Sequence, residues 1–480
     1  MDSSPEPEVA SRRPGAIARW WGSLPAPART MLAVVVLSRL ALLVWQLSVD
    51  PERLLYHDSG PYDALAARLV DDGTYAYPRW GPYSDLVRPP GYPLIVAANY
   101  AVFGRHPVAP VLWNLLGAVL TLAGAWALTR RMGLRSTLAA GLLFTLDLAW
   151  LLYSVKLMPE ALFAPVLIAA VLLVLRADEP GKRAAPAGAA GLLVGAAALM
   201  KPIALYLPLV LVGYLAVRRR PAPALALALG FALAIAPWVG RNWVVHGTPA
   251  FTSLQNDNLL FAHAAFVWAD VNDVTHQAAQ EDLFDRLEVV IGHPLEGPEA
   301  RIPPYAVLDA ARGRLAREVL AAYPLTYARA IARGMAITLF DPGRLVFAHT
   351  FPQPDDPVIG FTQNVAREGV GGTVVRLLRD DPLTVGVLVP YLGFLALVFV
   401  LALLGLVPAV RAAPAPAALL ILVAGYLLVL GGPHGYARFR LYVFPFELVF
   451  AAFGAAWLRG RIQPLISRRR RDSRPAVPSP

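Results

Sequence analysis

Apolar residues occur along this chain in long blocks separated by short charged breaks. A bilayer crossing needs about 20 mostly apolar residues, with a range of about 17–25. Blocks of that kind occupy 30–48, 107–129, 136–152, 161–176, 222–240, 384–408, 415–431 and 441–458. A further block, 186–217, is too long for one crossing and is interrupted by Lys201-Pro202. Cytoplasmic loops carry an excess of Lys and Arg. Arg176, Lys182 and Arg183 precede this block and Arg218, Arg219 and Arg220 follow it, so both its ends face the same side and it crosses an even number of times. Two short spans, 186–200 and 203–217, satisfy that parity; a re-entrant hairpin is the alternative. The pattern predicts an all-α integral membrane protein of about ten transmembrane helices. The first block starts near residue 30, is long and lacks a small-residue cleavage site, so it reads as a span and not as a signal peptide.

The polar residues lie between these blocks. Two segments on the outer side are large, 49–106 and 241–383. In the first, Tyr62, Leu65, Ala66, Leu69 and Val70 fall on one helical stripe, with Pro61 suited to the first turn and Gly73 to the stop. A second short helix is predicted to begin at Arg88-Pro89-Pro90-Gly91, with Pro90 presetting its first turn, and to run to about Phe103-Gly104. Both are too short to span and are expected to lie at the membrane interface. The spacing of apolar residues over 306–336 is also helical, which predicts a small, mostly helical periplasmic subdomain. The expected organisation is a tail at 1–29, a transmembrane core at 30–245 holding the outer loop 49–106, a large outer loop at 246–383, further spans at 384–458 and a basic tail at 459–480.

Composition agrees with a membrane protein. Of 480 residues, 57% are hydrophobic and 16% charged, against about 45–50% and about 25% in soluble domains. The net charge of +10 invites a nucleic-acid reading. However, about half of the 43 lysines and arginines sit in the short loops and tails of one face, where they orient the chain. No basic stripe with interleaved aromatics appears, so no nucleic acid is expected. The C-terminal basic cluster can touch anionic membrane lipid. The Ala-, Arg- and Pro-rich, Lys-poor usage is that of a high-GC bacterium. The expected location is a bacterial inner membrane, with both termini cytoplasmic. Without cysteine there are no disulfides and no thiolate chemistry.

Charge that does not serve topology collects at the outer mouths. Asp58 precedes the first short helix, where the macrodipole favours an anion; it reads equally as a plain helix-start acid. Arg88 stands at the entry of the second, placed to fork onto a phosphate or to anchor on a lipid headgroup. Lys156 and Glu160 share one mouth as a functional pair or a snorkelling one. Lys201 lies at the next outer turn. The last outer turn presents His434, Tyr436, Arg438 and Arg440, and two arginines there make an anion clamp or a lipid anchor. Arg39, mid-span, is expected to face the bundle, with Asp147 or Glu447 as partner. The loop 50–90 has seven acids against four arginines, a set that could hold a divalent cation through carboxylate oxygens.

Several runs, in their order, resemble the C-type (GT-C) superfamily of membrane glycosyltransferases. The likeness is to the family-39 branch of protein O-mannosyltransferases and lipid A aminoarabinose transferases. The runs are His57-Asp58-Ser59 with Tyr62 to Leu69, Arg88-Pro89-Pro90-Gly91-Tyr92-Pro93-Leu94, Leu157-Met158-Pro159-Glu160, Lys201-Pro202, Pro237-Trp238-Val239-Gly240-Arg241-Asn242 and Arg438-Phe439-Arg440. The resemblance implies inverting transfer of a sugar, hexose or pentose, from a polyprenyl-phosphate donor to a protein, lipid or polysaccharide acceptor at the extracytoplasmic face. It implies Asp58 and Glu160 as catalytic carboxylates that could share a divalent cation, Mg or Mn. It also implies Arg88, Lys201, Arg438 and Arg440 as ligands of the donor phosphate, with Tyr62, Tyr92, Lys156, His434 and Tyr436 lining the substrate. Where the aminoarabinose branch has an acid before the arginine, this chain has Val87, which argues against a lipid A acceptor. The rival readings are a transporter or flippase of lipid-linked sugars and a non-catalytic membrane scaffold.

Overall fold

The computed structural model describes residues 24–77, 83–134, 136–181, 184–297, 299–351, scattered residues from 369 to 379, and 382–472. The calls on charge at Arg12, Arg13, Arg19, Arg135, Lys182, Arg183 and Arg474 lie outside the described residues. Among the described residues the regular secondary structure is helical, with no strand.

The chain enters on α1 (Ala26–Val49), and a short turn at Pro51–Leu54 leads to the two helices of the first loop, α2 (Ser59–Asp71) and α3 (Gly91–Phe103). The bundle continues through α4 (Val108–Arg131), α5 (Leu138–Leu146), α6 (Leu148–Tyr153), α7 (Glu160–Ala177), α8 (Ala185–Met200), α9 (Leu207–Val217) and α10 (Pro221–His246). The large loop supplies α11 (Leu254–Asn258), α12 (Ala265–Asn272), α13 (His276–Ile291), α14 (Tyr305–Ala322), α15 (Pro324–Phe340) and α16 (Arg344–Thr350). The chain closes with α17 (Pro382–Ala412), α18 (Pro414–Leu430) and α19 (Ala437–Asp472).

Among the described residues six helices are long and apolar enough to cross a membrane: α1, α4, α7, α10, α17 and α19. The other expected spans are shorter apolar helices. The segment 136–152 differs most from expectation, because it breaks at Asp147 into α5 and α6. There the Asp147 carboxylate accepts the Trp150 N–H at 2.8 Å and so caps α6. The Tyr391 hydroxyl donates to its other oxygen at 2.9 Å. Arg39 is buried and faces the bundle as expected, but it donates to the Val35 carbonyl and lies over the Phe144 ring, with no ion pair to Asp147 or Glu447 among the described contacts.

Small residues let the helices approach closely, as is common in membrane bundles. A Cβ on Gly117 would overlap the Ala161 carbonyl, which draws α4 against the start of α7. A Cβ on Gly91 would meet the Leu199 backbone at 2.7 Å, which seats α3 on the end of α8. The apolar stripe of α2 is used against protein, with Tyr62, Leu65 and Ala66 buried and the Tyr62 ring edge-on to Tyr92 of α3; Val70 stays exposed. Gly73 has φ +70°, the left-handed stop that the sequence called for. Residues 254–322 build a second small core of their own around Leu260, Val267, Leu283, Leu287 and Leu315.

Candidate functional site

Five charged residues from distant parts of the sequence meet at one end of the bundle. Asp58 precedes α2, yet its side chain makes no capping bond. It turns instead to two guanidinium groups: Arg88 Nη2 lies 3.3 Å from Oδ1, and Arg438 Nη1 binds Oδ2. Glu160, the first residue of α7, receives the Lys201 ammonium on Oε1 at 2.6 Å. Arg438 and Lys201 each act electrostatically on both carboxylates, so the two ion pairs form one cluster.

Local structure holds each member in place. The Leu157 N–H donates to the Leu54 carbonyl, which ties the segment before Asp58 to the segment before Glu160. The Arg88 carbonyl accepts the Tyr75 hydroxyl at 2.8 Å. Just before it in the chain, the Ser253 N–H binds the Leu86 carbonyl and the Thr252 hydroxyl binds that of Val87. The Arg88 guanidinium lies over the Tyr62 ring at 5.0 Å, and Arg438 lies over Tyr436 and Phe439 at 5.5 and 5.2 Å. Lys201 caps the end of α8, with Phe439 and Tyr442 facing its ammonium. Burial alone would raise the Asp58 pKa, but Arg438 and Arg88 bring it down to about 2.

Two sequence assignments need correction. Arg440 takes no part in the clamp. It is 1% exposed and donates to the carbonyls of Thr338, Leu339 and Asp341 at the end of α15 and to the Tyr391 hydroxyl. Residues two apart on a helix point to different faces, so Arg438 and Arg440 diverge once α19 forms. Lys156 does not line an open site either: it is fully buried and donates to the Arg53 carbonyl at 2.7 Å, with His349 Nδ1 at 3.4 Å. Burial and the neighbouring Arg53 charge lower its pKa to about 7. Tyr62 and Tyr92 are buried as the floor beneath Arg88. His434 packs edge-on against Phe266 and His276 and stacks on Tyr436, which joins the large loop to the cluster. Burial, then His276, His263 and Arg438, lower the His434 pKa to about 4.

Sequence reasoning missed Asp341. Its Oδ2 accepts the Ala437 N–H at 2.8 Å and its Oδ1 the Gly343 N–H at 2.8 Å. It therefore fixes the start of α19 one residue before Arg438. An acid flanked by Phe340 and Pro342 in a loop gives no periodic signal that it caps a helix 96 residues on.

The donor set does not fit a divalent cation. Both carboxylates already have cationic partners, and the cluster of Arg88, Lys201, Arg438, Asp58 and Glu160 sums to one positive charge. The other acids of the first loop are dispersed. Asp63 takes the Tyr100 hydroxyl and Arg105, and Asp85 takes Arg241 and His246. Among the described residues no group of three or more His, Asp or Glu is arranged to hold a metal ion.

Comparison with known proteins bears on the fold. Residues 87–240 match the family model described as dolichyl-phosphate-mannose-protein mannosyltransferase. No curated protein matches the chain by sequence. The archaeal oligosaccharyltransferase AglB from Archaeoglobus fulgidus, solved with an inhibitory peptide and a dolichol-phosphate, is 13% identical with a TM-score of 0.52. The match covers 97% of this chain and 53% of that one, so the chain spans about half the length of the archaeal enzyme. ArnT from Cupriavidus metallidurans, solved bound to undecaprenyl phosphate, is 19% identical over 88% of this chain and 76% of that one, with a TM-score of 0.39. Residues 87–240 thus resemble that mannosyltransferase family, and the fold of the chain is similar to that of AglB.

Proposed function

We propose that the chain is a glycosyltransferase that moves a sugar from a polyprenyl-phosphate donor to a hydroxyl-bearing acceptor. We further propose that it works at the extracytoplasmic face of a bacterial inner membrane, in a ten-span topology with both termini cytoplasmic. The observation that carries this reading is the cluster itself: a carboxylate bridging two guanidiniums beside a buried lysine–glutamate pair, all at one end of an apolar bundle. A transporter would be expected to gather such charge near the midplane.

In the proposed reaction the acceptor oxygen attacks the anomeric carbon as the bond from that carbon to the phosphate oxygen breaks, with inversion. The hydroxyl proton passes to Asp58. The lipid phosphate leaves into the field of Arg88, Arg438 and Lys201, which stabilise the charge it gains. The three cations take the electrostatic role that a metal would otherwise have, so the reaction is proposed to be metal-independent. Glu160 holds Lys201 in position. The wall of Tyr436, His434 and the large loop faces the acceptor.

Transfer from radiolabelled polyprenyl-phosphate sugars, hexosyl and pentosyl, tests the reading. Asp58→Asn should abolish turnover, and EDTA should leave the wild type unchanged. Full turnover in Asp58→Asn would remove the proposed base, and loss of activity in EDTA restored by Mg or Mn would overturn the metal-free reading.

A further inference from the structure

The proposed base presents a difficulty. A carboxylate held at a pKa near 2 is a weak proton acceptor, and Asp58 is held there by Arg88 and Arg438, two of the groups assigned to the donor's phosphate. Building on the lipid-phosphate reading above, we propose that Asp58 occupies the phosphate position of the free protein: its carboxylate closes the Arg88–Arg438 clamp, and an arriving phosphate displaces it and releases it for proton transfer.

Three features support the exchange. First, the carboxylate bridges the two guanidiniums as a phosphate would, one oxygen to each, and guanidinium N–H groups take carboxylate and phosphate oxygens alike. Second, the arginines have supports apart from Asp58. The ring faces of Tyr62, Tyr436 and Phe439 lie against their guanidiniums, the Arg88 backbone is held by Tyr75, and the start of α19 is held by Asp341. The clamp can therefore keep its shape when the carboxylate leaves. Third, Asp58 is able to move: its side chain is 32% exposed and caps no helix end. Glu160 contrasts in its setting, being 1% exposed and held by Lys201 at 2.6 Å. The cluster thus has one fixed carboxylate and one displaceable one, and only the displaceable one closes the clamp.

The test is equilibrium binding of farnesyl phosphate to the detergent-solubilised full chain, in wild type, Asp58→Asn and Arg438→Gln, with inorganic phosphate as a second probe. If Asp58 competes with phosphate, Asp58→Asn should bind farnesyl phosphate at least about tenfold more tightly while Arg438→Gln binds it more weakly. Tighter binding of farnesyl phosphate alone would show that the prenyl chain is needed to dislodge the carboxylate; tighter binding of both probes would assign the exchange to the headgroup. Wild-type binding with equal or weaker affinity in Asp58→Asn overturns the exchange and leaves the lipid-phosphate reading standing. No binding by the wild type overturns both. Infrared difference spectra of the wild type with and without farnesyl phosphate give an answer independent of the variant's folding. One carboxylate stretch should shift on binding, and an unchanged carboxylate region rules the exchange out.

Discussion

Replacing Lys201 with methionine strips the counter-charge from a carboxylate that is 1% exposed, 2.6 Å from the ammonium. Removing one partner of a buried ion pair costs about 3–5 kcal/mol, because the charge left behind stays desolvated. The surroundings decide where in that range each variant falls. Arg438 also acts on Glu160, so Lys201→Met leaves a carboxylate that still has a cation nearby, and the loss should be about 3 kcal/mol. Glu160→Gln leaves the ammonium beside Arg438, opposed by the more distant Asp58 and by the ring faces of Phe439 and Tyr442 at 5.5 and 5.4 Å, which contribute about 0.5–2 kcal/mol. Its loss should be about 4 kcal/mol. The double variant buries no unpaired charge and should lose less than either single variant, giving a coupling of at least about 3 kcal/mol. Equilibrium unfolding in mixed micelles with rising SDS, followed by circular dichroism, measures all four corners of the cycle. Losses below about 1 kcal/mol in the single variants, or additivity within about 0.5 kcal/mol, would refute the claim that this pair holds the cluster together.

Other expectations follow from the same geometry. Asp58 ionises near pH 2 in the folded protein against an ordinary 3.8, so its contribution is present above about pH 4 and is lost as the pH falls toward 2. With its partial exposure discounted that contribution is about 1–2 kcal/mol; the wild-type unfolding free energy should drop more steeply between pH 5 and 2.5 than that of Asp58→Asn, and parallel curves would count against the ion pairs. Lys156 acts in the same direction but in a higher window: its pKa is lowered from 10.5 to about 7, so the folded state gains stability as the pH rises from 7 toward 10. Lys156→Met should be more stable than wild type by about 1–3 kcal/mol at pH 6, with the advantage fading by pH 10; a constant difference would show that the ammonium is not the cause. Asp341→Ala removes the acceptor for Ala437 N–H and should cost about 1 kcal/mol of stability but about 100-fold in turnover through a misplaced Arg438. Thr350→Val, which deletes a buried hydroxyl bond on α16, is the control for a purely structural loss.

Much of this site could be read from the sequence because its members stand beside residues that break helices. Asp58 precedes Gly60-Pro61, Arg88 precedes Pro89-Pro90, Glu160 follows Pro159 and Lys201 precedes Pro202. Each therefore falls at the end of an apolar run, where a charge is tolerated and a helix terminus fixes its direction. What could not be read was which charges pair. Asp58 and Arg438 are 380 positions apart, and only the packing of α19 against the first half of the chain brings them together. Arg438 and Arg440 looked equivalent as neighbours in a loop, but α19 begins at Ala437, and its helical turn sends one to the cluster and the other to the end of α15. The break at Asp147 was hidden for a similar reason. Its run is apolar enough for one span, and what opens it is a capping bond together with a tyrosine supplied by α17.

The charge of the cluster links these observations to the proposed chemistry. Three cations and two carboxylates leave one positive charge. A sugar linked to a lipid through a phosphodiester brings one negative charge, so the occupied pocket is neutral. During transfer the phosphate becomes a monoester and gains up to a second negative charge, while Asp58 takes the acceptor's proton and loses its own. The pocket then carries two positive charges against a phosphate of nearly two negative ones, so it is close to neutral before and after the reaction, with the intervening charge movement confined to a few ångströms. A divalent cation added to the same residues would leave the donor complex with two uncompensated positive charges in an apolar surround, a state that burial strongly disfavours. Two carboxylates matched by three basic side chains therefore suit a phosphodiester donor without a metal, and the displaceable one of the two is the group that must change charge as the sugar moves.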